Sequence, residues 1–211
     1  MEFNKFEYSG NEIEYLVDYP KNFDRNKKYP LIFYIHGYGF VGKDILDLAE
    51  RCPVSRDRIP EELDFIIVAP LCKNESWIFK FETVCKFIDS IAEKPFVDKG
   101  RIYLTGTSMG GYTSWMLLQC KKTFFAAAVV CCGGGQYWAA RIGSFNNIPI
   151  KAVHGKLDDT VFWRESEIMA ECINSAGGNC ELVLHDDLAH DVWTRTFSDK
   201  DTYYWLMKNH R

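Results

Sequence analysis

Apolar residues follow two rhythms along this chain. Five short runs are predominantly apolar: Leu31-Ile32-Phe33-Tyr34-Ile35 and residues 65–69, 101–105, 126–131 and 150–154. Runs of that length with no polar face predict strands buried on both sides. Residues 181–187 read as a further, last strand. Ahead of them, residues 3–8 and 12–19 are extended stretches around Ser9-Gly10-Asn11, which predicts an N-terminal hairpin. Residues 21–29 are polar and turn-like. The second rhythm is helical. Over 81–93, Val84, Phe87, Ile88 and Ile91 share one face while Glu82, Lys86 and Asp89 lie elsewhere. Residues 109–119, 162–176 and 202–209 continue the series, with Gly177-Gly178 as a helix stop. Strands alternating with helices predict an α/β fold, a mostly parallel central sheet with helices on both faces. Such sheets bind ligands beyond the carboxyl ends of their strands.

Length and charge narrow the picture. The 211 residues show no repeat, linker or low-complexity stretch, so one domain spanning 1–211 is expected. Twenty-five Lys plus Arg against 29 Asp plus Glu leave a net charge of -4, which disfavours nucleic acid as a partner. The longest apolar run, 124–132, is too short to cross a bilayer, so no membrane span is expected. Eight cysteines are present with no Cys-x-x-Cys pair, which supports neither a zinc ribbon nor a thioredoxin-like motif. The N-terminus, Met1-Glu2-Phe3-Asn4-Lys5-Phe6-Glu7, has no apolar signal core. Free thiols in a cytoplasmic protein, with no metal and no cofactor, are the expectation. Oligomeric state is not legible.

The chemistry begins at Gly106-Thr107-Ser108-Met109-Gly110. This Gly-x-Ser-x-Gly joins a predicted strand directly to a predicted helix, a turn so tight that the serine hydroxyl must project from the sheet. Glycines at 106 and 110 remove side chains that would meet the neighbouring strand and helix. A phosphate-cradling loop is the alternative. The glycine spacing fits neither Gly-x-Gly-x-x-Gly nor the P-loop, and no Lys-Ser or Lys-Thr follows. Ser108 is the candidate nucleophile.

With that turn in place, the chain resembles a compact α/β-hydrolase of the esterase and dienelactone-hydrolase-like superfamily. It is similar in particular to the phospholipase/carboxylesterase or predicted-peptidase group. Four segments carry the likeness: 29–39 with His36-Gly37-Tyr38-Gly39, 69–77, 98–111, and 154–161 with His154-Gly155. Dienelactone hydrolase itself carries a cysteine nucleophile, where this chain has Ser108. The family's order of nucleophile, acid, then histidine leaves His154, His185, His190 and His210 as bases. The resemblance makes His154 structural; His185 falls inside the last predicted strand and His210 at the terminus. His190 is therefore the expected base, with His185 as the fallback. The family's acid loop selects Asp158, with Asp159 as its competitor, since helix N-caps also favour Asp. By resemblance the oxyanion is held by the backbone amides of Tyr38 and Met109, and His36 is a structural hydrogen-bonder.

Trp77, Trp138, Trp163 and Trp193 fall after predicted strands, and Phe40 joins Tyr38 on the oxyanion loop. These aromatics predict an apolar pocket for an aryl or short acyl group. Fewer than 20 residues separate Cys131 from Ile150, so no large lid is expected. The expected activity is hydrolysis of a small carboxylic ester through an acyl-enzyme. A small serine peptidase and a non-catalytic binding protein are the alternatives.

Overall fold

The computed structural model describes residues 1–211. Its eight strands form one sheet in the order β1-β2-β4-β3-β5-β6-β7-β8. Here β1 is Glu2–Tyr8, β2 Asn11–Asp18, β3 Tyr29–Ile35, β4 Ile66–Leu71, β5 Val97–Thr107, β6 Ala127–Cys131, β7 Ile150–Gly155 and β8 Cys180–His185. From β4 to β8 every neighbouring pair is parallel; β1 and β2 are an antiparallel hairpin set against β4. The hairpin turn is tighter than the sequence suggests. Ser9 and Gly10 both take positive φ (+49° and +77°), the twist that suits a two-residue connection, so Asn11 pairs with Tyr8 inside the ladder.

Side-chain alternation splits the core into two layers. On β3, Leu31, Phe33 and Ile35 point to one face and Ile32 and Tyr34 to the other. The first layer is covered by α2 (Phe81–Ala92), α3 (Met109–Cys120), α4 (Tyr137–Arg141) and α5 (Arg164–Ser175). The second is covered by α1 (Ile45–Arg51), α6 (Trp193–Ser198) and α7 (Lys200–Lys208). Burial on both faces is why β3 and β4 are apolar throughout.

Helices α1, α4 and α6 were not legible from periodicity, because five to seven residues span too few turns to show one. The start of α1 is nevertheless written locally: Asp44 accepts from the amides of Leu46 and Asp47, and Asp47 reaches back to the Asp44 amide. Helix α5 begins two residues later than the apolar spacing implies, since Phe162 stays exposed. It ends as expected, with Gly177 at φ +85° and the Gly178 amide donating to Ile173 O at 2.9 Å. The segment between β6 and β7 carries only the five-residue α4. No helix is long and apolar enough to cross a membrane. All eight cysteines are free thiols.

Strand order places the site. From β3 the chain steps to β4 on one side, then crosses back to β5 on the other. Their carboxyl-terminal loops diverge there and open a crevice at the switch point.

Candidate active site

Strand β5 ends at Thr107 and α3 begins at Met109, leaving Ser108 alone in the corner at φ +55°, ψ -119°. A left-handed φ at a non-glycine residue stores strain that only rigid surroundings sustain. Here the surroundings are backbone. A Cβ at Gly106 would collide with the Ser114 hydroxyl and the Gly110 carbonyl, and one at Gly110 with the Ile35 carbonyl. The Ser108 amide donates to Cys131 O at 3.1 Å, tying the corner to β6.

The Ser108 hydroxyl donates to His190 Nε2 at 3.0 Å, and His190 Nδ1–H donates to Asp158 Oδ2 at 2.7 Å. His190 comes from the loop after β8 and Asp158 from the loop after β7. The two loops are stitched by the Leu157 amide donating to Leu188 O at 3.0 Å. Trp193 stands edge-on to the His190 ring, with centroids 5.3 Å apart at 89°. Of the two candidate acids it is Asp158 that meets His190. Asp159 is exposed, and its side chain receives only the Thr160 hydroxyl. His185 touches Arg195, not Asp158.

Asp158 is held by four donors. Oδ1 accepts from the amides of Thr160 (2.9 Å) and Val161 (2.8 Å), while Oδ2 accepts from His190 and from His154 Nε2–H (3.1 Å). Burial pushes its carboxyl up, yet the hydrogen bonds from His190 and the two amides outweigh that and hold it below the ordinary carboxylate value. The group is an anion aimed at the imidazole.

His36 is a strut. Its Nδ1–H donates to Gly37 O at 2.7 Å, and its Nε2 accepts the Cys72 amide at 2.9 Å. That pattern needs a neutral ring, and burial lowers its pKa to about 4. The strut shapes the turn Tyr38–Phe40. Tyr38 opens that turn and Met109 opens α3, positions whose N–H groups have no acceptor within their own helix. A Cβ on Gly37 would lie 3.1 Å from the Ser108 Cβ, so the two segments meet at Ser108.

A cleft of about 310 Å³ opens over Ser108 and His190, walled by Tyr34, Tyr38, Phe40, Thr107, Thr160 and Trp193. Three of these, Tyr34, Thr107 and Thr160, were missed from sequence. Thr107 stands inside the serine motif and was legible there; the facing of Tyr34 depends on register. Three expected wall residues lie elsewhere. Trp77 is 0% exposed and donates its indole N–H to His36 O at 2.9 Å, a buried prop beneath the loop. Trp138, on α4, is 54% exposed and outside the cleft. Trp163 stacks under the Arg164 guanidinium, 4.6 Å from its ring centre, also outside the cleft. A larger depression of about 580 Å³ lies at the amino ends of β5, β6 and β7, lined by Lys99, Asn147 and His210 among others. It contains no serine–histidine pair.

Known proteins share this fold. A thermostable esterase of solved structure superposes over 99% of this chain and 63% of its own, with TM-score 0.86 and 25% identity. Est1E from Butyrivibrio proteoclasticus does so over 98% of both chains, with TM-score 0.74 and 16% identity. Dipeptidyl-peptidase 5 of Aspergillus oryzae is 53% identical over 126 residues, which is 52% of this chain and 17% of that protein. The chain thus spans less than a fifth of that curated relative. The sequence profile of the phospholipase/carboxylesterase α/β-hydrolases matches residues 73–206, from the loop after β4 to α7. The chain belongs to that family and is a hydrolase of the esterase- and peptidase-like kind.

Proposed function

We infer that the chain is a serine carboxylic-ester hydrolase working through an acyl-enzyme. The observation that carries this reading is the unbroken hydrogen-bond chain from Ser108 through His190 to Asp158, opening onto the cleft. His190 takes the Ser108 proton as the hydroxyl oxygen attacks the ester carbonyl, and Asp158 stabilises the imidazolium that results. The Tyr38 and Met109 amides hold the oxyanion. The same proton then leaves with the alcohol. Water attacks the acyl-enzyme by the reverse sequence and frees the acid.

The cleft supports an uncharged, short acyl or aryl substrate. Its walls are aromatic rings and threonine side chains, with no Asp, Glu, Lys or Arg among them. This bears on the second reading, a peptidase, which the Aspergillus relative favours. An enzyme that removes dipeptides must recognise a free α-ammonium, and an unpaired ammonium is costly to bury without a carboxylate. No wall residue of the cleft offers one.

p-Nitrophenyl butyrate should therefore release p-nitrophenol in a burst stoichiometric with enzyme. Ser108→Ala should remove the burst and lower kcat by about 10⁴-fold or more. A dipeptidyl p-nitroanilide assayed alongside should turn over far more slowly. Faster anilide than ester hydrolysis overturns the assignment in favour of the peptidase. Failure of a fluorophosphonate to label Ser108 would favour a binding protein.

A further inference from the structure

Beneath Asp158 lies a second serine–histidine pair that the reaction does not touch. His154, the penultimate residue of β7, and Ser166, on the first turns of α5, are both fully buried. The His154 Nε2 has two neighbours, Asp158 Oδ2 at 3.1 Å and Val161 O at 3.0 Å. Both are acceptors only, so Nε2 carries a proton and shares it between them. The Nδ1 faces Ser166 Oγ at 2.8 Å. Gly133 O also lies near that hydroxyl, at 3.1 Å, but it receives the Trp115 indole N–H at 3.3 Å. Were the Ser166 proton to go to Gly133, Nδ1 would need a proton of its own and the ring would be a buried cation. Burial opposes this and lowers the His154 pKa. Ser166 therefore donates to Nδ1 and fixes the tautomer that donates to Asp158. The two Ser–His pairs, Ser108–His190 and Ser166–His154, converge on one carboxylate oxygen.

We propose that His154, set by Ser166, is a positioning residue for the reaction: it clamps Asp158 Oδ2 on the side opposite His190 and draws off part of the charge that the base feels. The inference rests on the esterase reading above. The Asp158 carboxylate could otherwise turn about its last bond, since its two amide contacts both fall on Oδ1. With His154 in place, Oδ2 is pinned and His190 is aimed at Ser108. The other titratable groups facing this carboxylate are the Cys132 thiol, within 4.8 Å of both Asp158 and His190, and the Tyr112 phenol. Burial raises both, so each stays protonated and neutral while His190 cycles.

Two variants of similar volume isolate the hydrogen bond. His154→Leu keeps the packing and removes the donor; His154→Gln keeps a side-chain N–H within reach of Asp158. His154→Leu should lose about tenfold or more in kcat with KM nearly unchanged. The acid limb of its kcat/KM profile should move to higher pH, because an Oδ2 without its second donor stabilises the imidazolium more strongly. His154→Gln should recover most of the rate and return the limb towards wild type. Equal kcat and an equal acid limb in the Leu and Gln variants overturn the proposal. If His154→Leu does not fold, Ser166→Ala replaces it: a smaller shift in the same direction supports the role, and an unmoved limb overturns it. Wild-type burst kinetics and Ser108 labelling are read first in the same assay. Their absence removes the esterase reading and this role with it. Their presence with unresponsive His154 variants removes the positioning role alone.

Discussion

The two sides of the cleft are held in place by different means. On one side, Ser108 sits where β3, β5, β6 and α3 converge, and its glycine neighbours leave no room for a Cβ. On the other, the backbone of the loop after β8 is tied to the loop after β7, but the His190 ring itself is held by side chains alone: Asp158, Ser108 and the edge of Trp193, with a two-pronged Arg195–Asp187 pair at the surface. Ser108 is thus fixed by main-chain packing, which is nearly incompressible. The His190 ring is fixed by side-chain contacts, which can be tuned one at a time.

If that contrast is sound, the largest effect belongs to the packed side. Gly110→Ala drives a methyl group into the Ile35 carbonyl and should cost about 4 kcal/mol in urea unfolding, at the upper end for overpacking, along with loss of Ser108 labelling. Gly39→Ala is its control: a Cβ there meets nothing within 4 Å, and stability should be unchanged. Equal losses in the two would break the comparison.

The next effect concerns the strut under the oxyanion loop. An unfolded histidine gains its proton near pH 6.5, whereas folded His36 does so only at about 4. Between those values the unfolded chain binds more protons. Stability is therefore present above that window and lost as pH falls through it, by about 3 kcal/mol. The lowered His154 pKa adds loss in the same direction. Asp158, held below the ordinary carboxylate value, contributes stability that disappears only as pH falls further, through its own folded titration. Unfolding free energies measured from pH 7 to pH 4 check this, and His36→Gln should flatten the slope.

On the loop side the effects are smaller and fall on rate. Trp193→Ala frees the His190 ring and widens the cleft, and should reduce kcat/KM about tenfold with little change in stability. Arg195→Ala breaks only an exposed pair and should change kcat less than about threefold. A larger loss there would mean that the surface fork, rather than Asp158, orders the base loop.

Much of this was legible in sequence because the information was local. The apolar runs become β3 to β8, and the serine turn announces itself within five residues. The N-terminal hairpin and the stop at Gly177 follow from turn chemistry. The resemblance favours Asp158 over its neighbour Asp159, and in the fold Asp158 turns inward to His190 while Asp159 faces solvent. The tryptophans show the opposite limit. Trp77 and Trp193 both follow strands, yet one is buried beneath the loop and the other walls the cleft. Position after a strand specifies which end of the sheet a residue occupies, and not which way its side chain points.

By itself, then, the sequence determined the strands of the sheet, the four longer helices that cover it, the strained serine corner and the short list of groups to serve it. Those features depend on backbone periodicity and on contacts between near neighbours. The tertiary structure alone decided which aromatics line the cleft, how Asp158 is turned inward and held, and that a second histidine, His154, shares it. Each of these is a meeting of segments far apart in the chain, set by sheet order and strand register, which no stretch of residues encodes on its own.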